Sequence, residues 1–335
     1  MLNAAIIGFG GVAQSVHVPA YETLEAMGKV RLVAACDIDP GQFHKKLEIN
    51  IASSGERLVD PHFYTDLEEM LAKERLDLID ICLPTYLHAR YAIDMLGRGY
   101  HVQCEKPMAR SSKECAQMLA AATAAKGRLA IGQCLRFSGA YLFLKDAVDA
   151  NTFGRPVSAI FRRISAPPIW AWDNWFMDCA RSGGCLLDMH IHDVDVARFI
   201  FGDPIAASCV TRDVYSGDDI AHTRLIYDGP SVLAIGDWSQ HGVDFSADYR
   251  VAFETATVIY EDGAVTVYPR DGEAWTPALP AADMYMKELE YLADIAVSGA
   301  PNTKNSPESA AKTIALYETL KASADKNGEL IIHAT

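Results

Sequence analysis

Asn3-Ala-Ala-Ile-Ile-Gly-Phe-Gly-Gly-Val-Ala13 is an apolar run too short for a helix that leads straight into glycines and then into helix-favouring residues. It reads as strand, tight turn, helix. Gly8 lets the chain reverse, Gly10 lets backbone N–H groups approach a ligand, and Ala13 is small enough for the new helix to pack on the strand it has just left. The spacing G-x-G-x-x-A, completed by Phe9, Gly11 and Val12, is that of a dinucleotide-binding turn. A pyrophosphate is expected at the helix N-terminus, where free N–H groups and the helix dipole favour an anion. A second apolar run, Val30–Cys36, ends in Asp37, close to the ~20-residue offset at which an acid takes the ribose hydroxyls. Such an acid repels a 2′-phosphate and no arginine follows at once to accept one, so NAD is expected over NADP. The alternative for Asp37 is a turn acid before Asp39-Pro40.

Outward from this turn, the helical stretch continues, with Pro19 expected to bend or restart it before residues 21–27. Residues 76–83 are mostly apolar and read as a buried parallel strand that stops at Pro84-Thr85, ahead of a helix over 89–98. The next strand, 100–104, delivers Glu105-Lys106-Pro107 to its carboxyl end, where ligands of doubly wound sheets bind. Pro107 fixes the turn, and the sequence leaves open whether its peptide bond is cis or trans. Ser111 is expected to cap an alanine-rich helix ending at Gly127, and 129–133 reads as the last parallel strand. This alternation predicts an α/β, doubly wound nucleotide domain over residues 1–126.

Over residues 127–335 the pattern changes. A helix near 141–150 precedes strands at 157–164, 207–215, 221–227, 232–240, 249–254, 257–260 and 264–268, joined by turn signals such as Asp228-Gly229-Pro230 and Asp262-Gly263. Neighbouring strands on short turns predict an α+β domain with a large, mainly antiparallel open sheet. Helices near 281–297 and 307–326 close the chain.

Composition sets bounds on the partners. The 335 residues suffice for two cores, and half of them are hydrophobic. Thirty basic against 44 acidic side chains give a formal charge of −14, which repels nucleic-acid phosphates and anionic lipid. Neither nucleic acid nor membrane is expected as a partner. Eight cysteines without C-x-x-C pairs point to reduced thiols and a cytoplasmic setting. The first strand starts almost at residue 1 and no apolar run approaches ~18 residues, so no leader or anchor is expected.

Two stretches of the second domain carry candidate chemistry. Pro167-Pro-Ile-Trp-Ala-Trp-Asp-Asn-Trp175 holds three of the five tryptophans and reads equally as a core-anchored loop or as a wall for the C–H faces of a sugar. Ser182-Gly-Gly-Cys-Leu-Leu-Asp-Met-His-Ile-His-Asp-Val-Asp195 reads as one helix entered from two glycines. Asp188, His192 and Asp195 then share a face at i, i+4 and i+7, while Leu187, Ile191 and Val194 share the buried one. His192 beside an acid one turn back is a sensible general base. His190, roughly 200° round from Asp188, falls off that face. Arg162 and Arg163 point to opposite sides of a strand, so at most one faces a cleft.

With Gly8-x-Gly10-x-x-Ala13, Glu105-Lys106-Pro107 and Gly183-Gly184-x-x-x-Asp188-x-x-x-His192 in order, the chain resembles the Gfo/Idh/MocA family, that of glucose–fructose oxidoreductase and inositol dehydrogenase. Pro84-Thr85-Tyr-Leu-His88 and Arg136-Phe137 are further family-like segments. The resemblance implies a Rossmann domain followed by an open-sheet domain that builds dimers or tetramers. It implies NAD(P)-dependent hydride transfer at a secondary hydroxyl or ketone of a sugar, inositol or related polyol. It also implies cofactor contacts from Leu83, Pro84, Thr85, His88, Glu105 and Lys106 in addition to the glycine turn and Asp37. In matching positions Lys106 would hydrogen-bond the reacting oxygen and join the proton relay, Asp188 would orient substrate and base, and His192 would be the general acid/base. One position departs: the family usually has Gly or Ala midway between the Asp and the His, where this chain has His190. Other readings are an NAD-dependent glycoside-cleaving enzyme of the same fold, a non-catalytic nucleotide sensor, and a metal-dependent hydrolase or lyase using His190 and His192. The last needs a strand there, because residues two apart diverge on a helix.

Overall fold

In the computed structural model, which describes residues 1–45, 48–50, 52, 53, 57–280 and 283–333, the chain opens with β1 (Leu2–Ile7), whose Ala4, Ala5 and Ile6 have no exposed surface. A wide, π-type turn over Ala13–His17 leads into α1 (Val18–Ala26). The bend expected at Pro19 is thus made by the wide turn ahead of it, and Pro19 occupies the first turn of α1, where a missing N–H costs nothing. β2 (Val30–Cys36) is followed by the short pair β3 (Glu48–Ile49) and β4 (Ala52–Ser53), then β5 (His62–Tyr64) and α2 (Leu67–Lys73). Next come β6 (Leu78–Ile81), α3 (Thr85–Gly97), β7 (His101–Glu105), α4 (Ser112–Ala124) and β8 (Leu129–Gly132). Ser111 caps α4 by accepting the Glu114 N–H, as its position predicts. The helix expected from residue 89 begins four residues earlier, because Pro84 is extended and serves as its N-cap.

Six strands form one parallel sheet in the order β5-β2-β1-β6-β7-β8. The order reverses between β1 and β6. At such a switch point the strand ends diverge and leave a crevice for a ligand. β5 has only three residues, too few for alternation to reveal it.

The rest of the chain supplies α5 (Gly139–Asp149), β9 (Pro156–Ile164), α6 (Cys179–Ser182), α7 (Gly184–Asp188) and α8 (Ile191–Phe201). The strands β10 (Ala206–Arg212), β11 (Ile220–Ile226), β12 (Ser231–Asp237), β13 (Ser246–Phe253), β14 (Ala256–Glu261) and β15 (Ala264–Pro269) follow. α9 (Met284–Ser298), α10 (Pro307–Ala324) and β16 (Ile331–Ile332) end it. Residues 281 and 282, where the first closing helix is expected to begin, lie outside the described residues; the described helix is capped by Asp283.

Eight strands form a second sheet, β15-β14-β13-β9-β12-β11-β10-β16, antiparallel throughout except for the parallel pair β9 and β12. Period-two alternation buries Ala159, Phe161, Val232, Ala234, Tyr249 and Val251 on one face. α8 packs on β9 and β12, and α5 packs on α8. The opposite face carries Ile160, Leu233 and Val210, all substantially exposed.

By contacts the chain forms two compact units. The first holds Met1–Cys134 together with two later returns, Ile169–Trp175 and Asp283–Ala311; the second holds Leu135–Pro168, Phe176–Ala282 and Lys312–Thr335. All eight cysteines are free thiols. Among the described residues no helix is long and apolar enough to cross a membrane.

Candidate functional site

In the first unit the glycine turn is built as its spacing predicts. Gly8 has φ +91°, and a Cβ there would lie 2.6 Å from the Cys82 carbonyl oxygen, so only glycine closes β1 against the end of β6. At Gly10 a Cβ would meet nothing within 4 Å, which leaves the backbone open to a ligand. Gly11 is small for another reason: Ile49 and the ring of Trp170 occupy the place of its side chain, at 2.5 and 2.9 Å. Ala13 is buried against the sheet, and Val12 leads into the wide turn. Phe9 turns its ring inward, edge-on to Phe63 at 5.4 Å, and presents only its backbone to the turn.

Asp37 accepts the Phe9 N–H at 2.7 Å through Oδ2 and the Asp39 N–H at 2.9 Å through Oδ1. It therefore does hold a turn, and each oxygen keeps a lone pair for a hydroxyl donor. Burial raises its carboxyl above the ordinary range, against the lowering effect of the two N–H groups. Across the switch point, Pro84 and Thr85 begin α3. Thr85 Oγ1 and Ser15 Oγ are buried without a hydrogen-bond partner among the described residues. Open space at Gly10, a helix start at Thr85 and two orphaned hydroxyls are features a dinucleotide would fill and satisfy.

His88 is differently occupied. Its ring nitrogens lie 2.8 Å from the Pro107 carbonyl oxygen and 2.7 Å from that of Leu83, so the ring sits between the end of β6 and the turn after β7 and, when neutral, donates to one of the two. Burial lowers its pKa. Lys106 stands just beyond β7, half-buried, its N–H donating to Glu105 Oε2 at 3.2 Å and its peptide bond to Pro107 cis. Glu105 itself points inward, Oε1 being 3.0 Å from His17 Nε2.

In the second unit the single helix expected over residues 184–195 is two. α7 ends at Asp188, and α8 starts at Ile191 after a wide turn in which the His190 N–H donates to the Cys185 carbonyl. Asp188 is thus the last residue of one helix and His192 the second of the next. Gly184 has φ +67°, and a Cβ there would lie 2.3 Å from the Gly217 carbonyl oxygen; the helix can enter here only on glycine. The 213–219 loop that presses on Gly184 is organised by Asp219. Its carboxylate accepts N–H groups of Val214, Tyr215 and Ser216 and the indole N–H of Trp238 at 2.6 Å. Leu187, Ile191 and Val194 are fully buried, as the apolar spacing predicts.

Asp195 does not share a free face with Asp188 and His192. It is buried in a two-bonded pair with Arg136, at 2.8 and 2.7 Å, and accepts from Thr313 Oγ1. Asp193 is paired in the same way with Arg163, while Arg162 pairs with Asp248 on the exposed face of the sheet. Neither arginine is left to face a cleft. His190 is fully buried with Nε2 2.8 Å from Thr223 Oγ1, and its ring fills the space over Gly236. Burial, with Arg163 and His222 nearby, brings its pKa down to about 3, so it is a neutral core residue. The residues missed by sequence reasoning are His17, Asp80, Arg136 as a partner of Asp195, and Trp170 over Gly11; each depends on a partner far along the chain.

The first unit carries a dinucleotide-type glycine turn on a parallel sheet, and the second is built on a large, open, mainly antiparallel sheet. Residues 2–133 match a family model described as an oxidoreductase family with an NAD-binding Rossmann fold, and residues 141–266 match the C-terminal domain model of the same family. The chain belongs to the Gfo/Idh/MocA family of NAD-binding oxidoreductases. It is 28% identical over 158 residues to a 1,5-anhydro-D-fructose reductase of Ensifer adhaerens, covering 46% of this chain and 47% of that one. It is 30% identical over 206 residues to a myo-inositol 2-dehydrogenase of Thermotoga maritima, covering 61% and 56%. The matches thus span about half the length of these relatives. Among solved structures, an oxidoreductase from Agrobacterium radiobacter in complex with NAD+, L-tartaric acid and magnesium has the same fold, with a TM-score of 0.80 at 19% identity over 99% of this chain and 98% of that one.

Proposed function

We propose that this chain exchanges a hydride between NAD and a secondary hydroxyl or ketone of a sugar, inositol or related polyol. The observation that carries the reading is the open glycine turn at Gly10 in an NAD-binding family, with the orphaned Ser15 and Thr85 hydroxyls in the same unit and Lys106 just beyond the carboxyl end of β7. Bound NAD supplies the hydride acceptor. The chain's part is to bind, orient and move the proton. Asp37 holds the adenosine ribose and favours NAD over NADP. Lys106 donates to the reacting oxygen, where an ammonium stabilises developing alkoxide. His192 takes the hydroxyl proton, because hydride cannot leave carbon unless that proton leaves too, and Asp188 orients it. The substrate class follows the names of the two relatives, a reductase of an anhydro-sugar and a dehydrogenase of inositol.

The functional division we propose is cofactor binding by residues 1–126 and substrate binding with oligomerisation by 127–335. The exposed Ile160, Leu233 and Val210 support a homodimer or homotetramer built on the open sheet face. Eight free thiols and the acidic charge support a cytoplasmic setting. The test is to titrate purified protein with NAD and with NADP, following tryptophan fluorescence and thermal midpoint, and then to screen polyols and sugars for NADH formation. Saturable NAD binding with turnover of at least one polyol is expected; absence of response to either nucleotide overturns the reading. A monomer in light scattering at micromolar concentration overturns the assembly.

A further inference from the structure

Under the carboxyl ends of β6 and β7 lies a buried group of ionisable side chains centred on His17. His17 closes the wide turn after the glycine motif and is 1% exposed. Its Nδ1 is 2.7 Å from Asp80 Oδ2, and its Nε2 is 3.0 Å from Glu105 Oε1. Tyr21 donates to the same Asp80 oxygen at 3.1 Å, and Cys82 Sγ lies 3.6 Å from both Nδ1 and Asp80 Oδ1. The ring of Tyr285 packs 6.0 Å away, and Glu288 of α9, hydrogen-bonded to Gln103, adds a further carboxyl that burial raises far into its neutral form.

A carboxylate only accepts hydrogen bonds, so a ring with a carboxylate oxygen at each nitrogen makes both bonds only as an imidazolium. Burial opposes that charge and Asp80 supports it, and the balance lies well above the ordinary histidine range. Glu105 is correspondingly held low against burial, by His17 first. Gly132 of β8 leaves room for this carboxylate, since a side chain there would lie 2.9 Å from Oε1, and Oε2 receives the Lys106 N–H. A wide helical turn, a device common at functional sites, sets the histidine at the junction of two strand ends.

We propose that His17 is a positioning residue for Lys106: bridging Asp80 and Glu105 as a cation, it fixes the Glu105 carboxylate that anchors the Lys106 backbone. The inference rests on the reading of Lys106 as the lysine that acts on the reacting oxygen.

His17→Leu removes the bridge and leaves two carboxylates facing one buried site, where one of them must take up a proton. A small displacement of a catalytic group lowers turnover more than binding, so kcat is expected to fall roughly 10–100-fold while the NAD dissociation constant and substrate KM stay within about threefold. A new ionisation, above the ordinary carboxylate range, is expected in the kcat profile of the variant. His17→Gln, which keeps one donor toward Glu105, is expected to recover part of the loss and guards against a variant that fails to fold. Nitrogen NMR of histidine-labelled wild-type protein should find protons on both ring nitrogens at neutral pH. A neutral ring overturns the proposal, and so does His17→Leu with wild-type kcat at every pH. If wild-type protein oxidises no hydroxyl compound, the dehydrogenase reading has failed, and the proposal is then decided by the Lys106 amide resonance in His17→Gln: displacement supports it and an unmoved signal overturns it.

Discussion

Gly8, Gly10 and Gly11 are neighbours on one turn, yet alanine at each should give a different result. At Gly8 the backbone has φ +91°, and a Cβ would meet the Cys82 carbonyl at 2.6 Å, backbone on backbone. Positive φ and overpacking together should cost about 2–5 kcal/mol of stability. At Gly11 the conformation is ordinary, and the contacts at 2.5 and 2.9 Å are side-chain atoms of Ile49 and Trp170 that can shift. The cost there should be about 1–2 kcal/mol. At Gly10 nothing lies within 4 Å, so the protein alone loses no contact. Its stability should be unchanged or up to about 1 kcal/mol higher, since alanine narrows the unfolded ensemble. The new methyl would, however, stand where the dinucleotide backbone approaches, and the NAD dissociation constant should rise at least about 100-fold, or about 2.7 kcal/mol. Urea unfolding with and without NAD reads both quantities. At a hundred times the wild-type dissociation constant, NAD should stabilise wild-type protein by about 2.7 kcal/mol and Gly10→Ala by at most about 0.4 kcal/mol. Equal stabilisation of the two by NAD would refute the assignment of that open space to the cofactor.

Lys106→Ala should abolish turnover while leaving NAD affinity within a few-fold of wild type in the thermal-shift titration; unchanged turnover removes the lysine from the mechanism. Asp37→Ala should weaken NAD more than NADP in the same titration, and equal effects place the ribose elsewhere. Asp219→Asn replaces an acceptor by a donor among five N–H groups and should cost about 2–4 kcal/mol at pH 7 in urea unfolding. Although burial pushes the Asp219 carboxyl up, Ser216, Trp238 and the loop amides hold it well below the usual range. Its folded pKa is below its unfolded one, so its stabilisation is complete above the unfolded value of about 3.9 and is lost as pH falls further. The gap between wild type and Asp219→Asn should therefore close in acid below about pH 4, and a constant gap down to pH 2 would contradict this account.

What was legible in the sequence is what depends on neighbours in the chain. The turn from Gly8 to Ala13, the cap at Ser111 and the buried row Leu187, Ile191 and Val194 follow from spacing alone. What was not legible depends on distant partners or on a local departure from regular period. Asp195 looked free beside His192, but its partners are Arg136, 59 residues back, and Thr313, 118 residues on. The wide turn at Met189 and His190 shifts the helical phase without altering composition. Its cause, His190 seated on Gly236 and Thr223 of the sheet, lies in strands that no helical pattern can display. His17 likewise gave no signal, since Asp80 and Glu105 reach it from strand ends 63 and 88 residues away.

Two of these distant pairs explain how α8 holds His192. Asp193 and Asp195 follow it and, two residues apart, stand roughly 200° from each other round the helix. Arg163 of β9 grips the first and Arg136, from the turn before α5, grips the second, each with two hydrogen bonds. A helix held by bidentate arginines on opposite sides cannot rotate about its axis without breaking one pair. Breaking either leaves a buried charge uncompensated, at about 3–5 kcal/mol. The backbone at His192 is therefore held by its neighbours, and the buried pairs that hold it are separate from the imidazole proposed for proton transfer. Asp188 is fixed by another route, through Gly184 and the loop that Asp219 gathers. The backbone at the acid is thus held by a loop under a glycine entry, and that at the histidine by two ion pairs on either side of its helix.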